Sequence, residues 1–215
     1  MAMGIERLRL FQLVSPALPV GAFSYAEGLE GLVQAGRLND GEAVARWLRA
    51  ELQQGLLPIE AAWLPSLMQA SPQELLERDR WLLALREAPE IRAQQRQMGG
   101  SLLRLLVALG FDQPHLDLAW PAAFARAGRA LQLPAVEVLE AYLYGWVANQ
   151  LSAAVRLVPL GSTEAQRLQL AIAPLIAERA MELAAADPRE LWNGGVGAGL
   201  AQLRHAELYS RLFRS

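Results

Sequence analysis

Residues 135–157 read AVEVLEAYLYGWVANQLSAAVRL, and this stretch decides the fold. Val138, Leu139, Tyr142, Leu143, Trp146, Val147, Gln150, Ala153 and Ala154 recur at i, i+3 and i+4 over several turns, the pattern of a helix buried in a core. A strand would alternate instead. Gly145 interrupts this helix at a cost of about 1 kcal/mol relative to alanine, so close packing against a neighbour is the expected reason for it.

Outward from this helix the composition points the same way. Leu and Ala make up roughly a third of the chain while β-branched residues are few, a balance that favours helix over sheet. Ser24 to Glu27, Asn39 to Glu42 and Ser71-Pro72-Gln73-Glu74 have capping-box spacing, the last with a proline at the first helical position, so each predicts a helix start. Gly36 and Gly110 follow apolar-periodic runs and predict helix stops in the left-handed conformation. The resulting map is all-α, with helices near 4–14, 25–35, 40–56, 59–69, 72–86, 90–109, 121–132, 135–157, 163–186 and 198–209. Pro174 predicts a kink inside the ninth of these rather than a break.

The organisation follows. Residues 1–186 read as one helical bundle, without solenoid repeats or Gly/Ser-rich linkers. Beyond Asp187-Pro188, four glycines at 194, 195, 197 and 199 carry a large backbone-entropy cost, so 187–215 reads as a flexible tether followed by a terminal tail.

Composition excludes much chemistry. The chain has no Lys, which removes Schiff-base chemistry and the P-loop signature, and no Cys, which removes disulfides, thiolate nucleophiles and thiolate metal sites. A net charge of −2 gives no bulk reason to bind nucleic acid. No apolar run is long enough to cross a bilayer and the N-terminus lacks a signal-peptide core, so a reducing cytoplasm is the expected compartment. The two histidines, His115 and His205, lie in different predicted elements, and their spacing gives no metal site. A hydrolase of the Ser-His-Asp type lacks its Gly-x-Ser-x-Gly elbow.

Three stretches stand out as surfaces for partners. Ser15 to Glu30 holds Pro16, Pro19 and Gly21, a rigid connection that presents Phe23 and Tyr25 beside Glu27 and Glu30. In the helix quoted above, Tyr144 lies upstream of Arg156, a lone cation near the C-terminus that can offset the helix dipole or reach an anionic group. The chain then finishes on Tyr209-Ser210-Arg211-Leu212-Phe213-Arg214-Ser215, aromatic and arginine residues of the kind that dominate interface hot spots.

These three blocks are similar to those of the UreF family of urease accessory proteins: Ser15 to Tyr25 running into Gly28-Leu29-Glu30; Tyr142 to Trp146 through Asn149 to Arg156-Leu157-Val158-Pro159-Leu160-Gly161; and Arg204-His205 with Tyr209 to Ser215. The resemblance implies an all-α protein without catalytic activity, cofactor or metal site of its own. It implies a homodimer that binds the accessory protein UreD (also called UreH), recruits the GTPase UreG and serves GTP-dependent nickel insertion into apo-urease. It also implies a GTPase-facing surface drawn from Phe23, Tyr25, Glu30, Tyr144 and Arg156. A UreD-facing tail would carry His205, Tyr209, Arg211, Leu212, Phe213 and Arg214, ordered on binding. The alternatives are a helical adaptor unrelated to urease, or a hydrolase or transferase using Glu27, Glu30 and His205. The enzyme would require those groups to converge in a pocket.

Overall fold

The computed structural model describes residues 2–113 and 115–215, the side chains of Ala2 and Met3 excepted. The described residues form ten α-helices and no strand: α1 (Ala2–Leu13), α2 (Leu29–Gln34), α3 (Gly41–Gln54), α4 (Leu57–Gln69), α5 (Pro72–Ala84), α6 (Pro89–Ala108), α7 (Trp120–Ala130), α8 (Ala135–Leu157), α9 (Ser162–Ala185) and α10 (Val196–Arg204). Short 3-10 turns occupy Ala22–Ser24 and His205–Glu207. None of the described helices is long and apolar enough to cross a membrane.

Local chemistry sets several of the helix ends. At α5 the expected capping box is complete: Ser71 Oγ accepts the Glu74 N–H while the Glu74 carboxylate accepts the Ser71 N–H, with Pro72 at the first position. α3 is capped one residue later than the spacing suggests, by Asp40 accepting the Ala43 N–H at 2.8 Å. Gly36 and Gly110 adopt φ of 68° and 88° and close α2 and α6. The next residue's N–H returns to the carbonyl of Leu32 and of Leu106 respectively.

The expected helix start at Ser24 is not there. Ser24 belongs to a 3-10 turn, Tyr25 is extended, and Glu27 and Gly28 both have positive φ, so α2 begins only at Leu29. The reason is tertiary. Glu27, which would complete the box, instead accepts Gln94 Nε2 at 2.8 Å and Trp146 Nε1 at 3.0 Å.

Two helices make the centre. α8 buries Val138, Leu139, Tyr142, Leu143, Val147, Gln150, Ala153 and Ala154 as its periodicity requires, with Trp146 partly buried, and packs on α9, α4, α7, α1, α2 and α3. α4 is buried from Leu57 to Leu64 and again at Leu67 and Met68, between α3, α7, α8 and α9. Each of α4 and α9 continues through an internal proline, Pro65 and Pro174. Gly145 corrects an expectation: among the described residues no atom beyond its chain neighbours and its own helix backbone lies within 4 Å of where its Cβ would be, so packing against a neighbouring element does not explain it.

α10 begins within the stretch expected to be a loop, and includes Gly197 and Gly199. Packing against α2 offsets the entropy cost. Ala198 and Ala201 are buried, and α10 passes so close that a Cβ on Gly28 would lie 2.9 Å from the Gln202 nitrogen, and one on Gly31 3.2 Å from the Ala201 oxygen.

Candidate functional site: a carboxylate clamp on the terminal tail

The connection between α1 and α2 is shaped by Gly21 at φ 76° and by the left-handed pair Glu27-Gly28, on either side of the extended Tyr25. The tail runs along this connection. Arg214 N–H donates to the Ser24 carbonyl at 2.9 Å, and Ala26 N–H donates to the Ser215 carbonyl at 3.0 Å. From α8, Asn149 Nδ2 donates to the Tyr25 carbonyl at 3.0 Å and fixes the loop from beneath.

Glu30, in the first turn of α2, is 4% exposed. Its two oxygens accept consecutive main-chain donors of the tail, Leu212 N–H at 2.8 Å and Phe213 N–H at 3.1 Å. An ionised carboxylate has acceptors only, so two parallel amides suit it. Phe213 is buried beneath the Arg156 guanidinium, whose centre stands 4.6 Å from the ring centroid. The role of Arg156 inside the molecule is therefore cation–π contact with the tail, from the last turn of α8.

A second carboxylate comes from α6. Glu90 Oε1 accepts Arg211 Nη1 at 2.6 Å, and Glu90 Oε2 lies 2.7 Å from His205 Nδ1, which accordingly carries the donated proton. The ring is fully buried, and its Nε2 faces Glu30 Oε2 at 3.5 Å without a hydrogen bond. One turn along α6, Gln94 links both halves of the site, donating to Glu27 and accepting Ser215 Oγ.

The structure thus joins residues that the sequence reading divides between two surfaces. Tyr25, Glu30 and Arg156 meet His205, Arg211, Leu212, Phe213 and Arg214 in a single cluster. Phe23, Tyr144 and Tyr209 instead present their rings to solvent. Glu90, Gln94 and Gln202 carry no signal of this cluster in the sequence, and Trp146 reads there as a core position rather than as a donor to Glu27. Glu90 and Gln94 sit four positions apart in a run of Gln and Arg that reads as a solvated face, and nothing in the sequence marks them as facing the tail.

Below the clamp lies a buried ionic network. Arg86 donates Nε to Glu60 Oε1 at 2.8 Å, and Tyr142 donates its hydroxyl to Glu60 Oε2 at 2.8 Å, all three groups being sealed from water. Burial pushes the Glu60 carboxyl above its ordinary range against the pull of Arg86, and raises the Tyr142 phenol. Glu51 of α3, beside Gly195, is pushed up to about 7 by burial, partly opposed by Arg86. One cation among several acids holds this interior together.

His205 and Glu30 approach each other, as acid–base chemistry would require, but not in a pocket. The ring is sealed, and both Glu30 oxygens are occupied by tail amides. Two open clefts, of about 700 and 470 Å³, are lined by His115 and not by His205. Among the described residues no group of three or more His, Cys, Asp or Glu is arranged to hold a metal ion.

Comparison with known proteins agrees with this architecture. The family model for UreF matches residues 38–173. The chain is 40% identical over 221 residues to the urease accessory protein UreF of Alkalilimnicola ehrlichii, covering 99% of this chain and 97% of that one. It is 40% identical to UreF of Trichormus variabilis, over 97% and 95% of the two chains. It is 36% identical to UreF of Prochlorococcus marinus subsp. pastoris, over 95% and 96%. With an all-α bundle matched over nearly its whole length, the chain belongs to the UreF family of urease accessory proteins.

Proposed function

We propose that this chain is a cytoplasmic, non-catalytic scaffold that, as a homodimer, binds a UreD/UreH-like protein and a UreG-like GTPase, and that the assembly couples GTP use to insertion of nickel, its cargo, into apo-urease. The observation that carries the reading is the convergence of Glu30 and Arg156 with the tail. Residues that the family resemblance assigns to two partners share one cluster, so occupancy of one surface is communicated to the other through a few ångströms of hydrogen-bonded chain.

In this reading residues 187–215 form the UreD-facing segment. Within this segment Trp192, Val196, Leu200 and Leu203 expose large apolar side chains at 74%, 67%, 49% and 39%, three of them along one face of α10. Tyr209 and Leu212 extend that apolar character into the tail, and Phe23 and Tyr144 serve the GTPase. Aromatic and aliphatic anchors of this kind supply most of an interface's energy.

Size-exclusion chromatography with light scattering tests the assembly, with the protein alone, with a UreD-like partner, and with both partners and GTP. A dimer that takes up each partner in turn is the expected result. A monomer that ignores both overturns the reading.

A further inference from the structure

Two carboxylates hold the tail, and only one of them lies in a segment that the family resemblance marks. We infer that Glu90, in the first turn of α6, is a positioning residue: it sets the tail's path over α2 by holding the Arg211 guanidinium and the His205 ring at once, and it touches no partner itself. The inference rests on the reading that the tail is a partner-binding element.

The geometry separates the duties of the two acids. Glu30 grips the main chain of Leu212 and Phe213, and main-chain amides are the same in every residue but proline. That grip alone does not fix register, since a slip of one residue would offer two other amides. Glu90 reads side chains. Its two oxygens take one donor from each end of the terminal segment, Arg211 at 2.6 Å and His205 at 2.7 Å, six positions apart. Holding both ends on one carboxylate closes residues 205–211 into a loop, and this leaves Leu212 and Phe213 as the amides opposite Glu30.

Burial supports the assignment. The His205 ring is fully buried, and Glu90 is the ring's only hydrogen-bond partner among the described residues, so removing that acceptor leaves both ring nitrogens without a hydrogen bond. Arg211 keeps a side chain 41% exposed while paired, so one edge stays open to a partner as the other is held. The Glu90 side chain is 26% exposed, with one oxygen on each of the two groups it holds.

The test compares Glu90→Ala, Glu90→Gln, Arg211→Ala and the double variant Glu90→Ala/Arg211→Ala in the full chain. Far-UV circular dichroism first shows whether helical content is unchanged, and Glu90→Gln, which keeps an acceptor for His205, guards against loss of fold. Hydrogen exchange is then followed in peptides spanning 208–213. Glu90→Ala is expected to speed exchange there by about tenfold or more although Glu30 is intact, with Glu90→Gln intermediate and α8 peptides unchanged. Affinity for a UreD-like protein is expected to fall by about tenfold in Glu90→Ala, and the double variant to bind no worse than the weaker single one.

Exchange at 208–213 equal to wild type in Glu90→Ala overturns the inference. Faster exchange with undiminished partner affinity overturns its bearing on partners. A wild-type chain that binds no UreD-like protein overturns the proposed function instead, and the exchange result then stands by itself as a statement about the tail.

Discussion

The carboxylate of Glu30 accepts the backbone N–H of Phe213 at 3.1 Å across 183 positions of sequence, beside the shorter bond it accepts from Leu212. Both bonds are charge-assisted and lie in a water-poor site. Glu30→Gln keeps one acceptor oxygen but sets an amide N–H₂ against a main-chain N–H, so one donor is left buried and unmatched. The tail should loosen by about 1–3 kcal/mol in local opening free energy. Hydrogen exchange at 208–213 measures this. Protection as in wild type would show that the Glu30 bonds do not hold the tail.

Phe213 supplies the apolar part of the same contact. It is buried while its neighbours Leu212 and Arg214 are exposed, so its ring carries most of the tail's hydrophobic burial. Phe213→Ala should weaken docking by about 2–3 kcal/mol, whereas Arg156→Leu, which keeps apolar cover and loses the cation over the ring, should weaken it by about 1 kcal/mol. Exchange in the two variants checks the order. A larger effect for Arg156→Leu would mean that the charge, not the burial, dominates.

Glu51 sets a pH dependence. Its carboxyl titrates at about 7 in the folded chain against 4.5 as the ordinary value, because burial disfavours the anion. Below about pH 4.5 folded and unfolded forms are both protonated at this residue, and it contributes nothing. Between about 4.5 and 7 the unfolded chain releases the proton while the folded one retains it, so stability declines as pH rises, by up to about 3 kcal/mol, and levels off above 7. Glu51→Gln should remove that decline and be more stable than wild type above pH 7. Urea titrations of both proteins at pH 5, 6, 7 and 8 give the comparison, and parallel curves would refute the assignment.

Particular residues show how far the sequence could be read. Ser71-Pro72 and Gly36 are legible because each acts on chain within a few positions of itself, through a cap or a left-handed turn. The long period of α8 is legible because one buried face repeats over many turns. Ser24 misleads for the opposite reason: Glu27 obeys a bond to Gln94, 67 positions away, rather than one to a residue three positions back. Glu60 sits in an apolar helix with its cation 26 positions on at Arg86, and α10 forms against its own glycine entropy because α2 lies beside it. Glu30, Arg156 and the tail stand out through family resemblance, but their meeting in one cluster is a property of the packed bundle.

Gly99 and Gly145 both sit inside helices, where propensity treats them alike and their surroundings do not. A Cβ on Gly99 of α6 would stand 2.2 Å from the Leu118 oxygen and 2.7 Å from the Ala119 carbonyl carbon, main-chain atoms at the entry to α7 that cannot turn aside. Gly99→Ala must therefore push α6 and α7 apart, at about 1–3 kcal/mol for overpacking, which exceeds the helix-propensity gain of about 1 kcal/mol. A Cβ on Gly145 of α8 meets nothing from another element within 4 Å among the described residues, so Gly145→Ala should keep the whole gain and raise stability by about 0.5–1 kcal/mol. Denaturant unfolding of the two variants should move in opposite directions from wild type. A stabilised Gly145→Ala that no longer associates with a UreD-like or UreG-like protein would show that the bare helix surface beside Tyr144 is kept open for a partner's approach. A stabilised variant with unchanged association would leave Gly145 without a role in either.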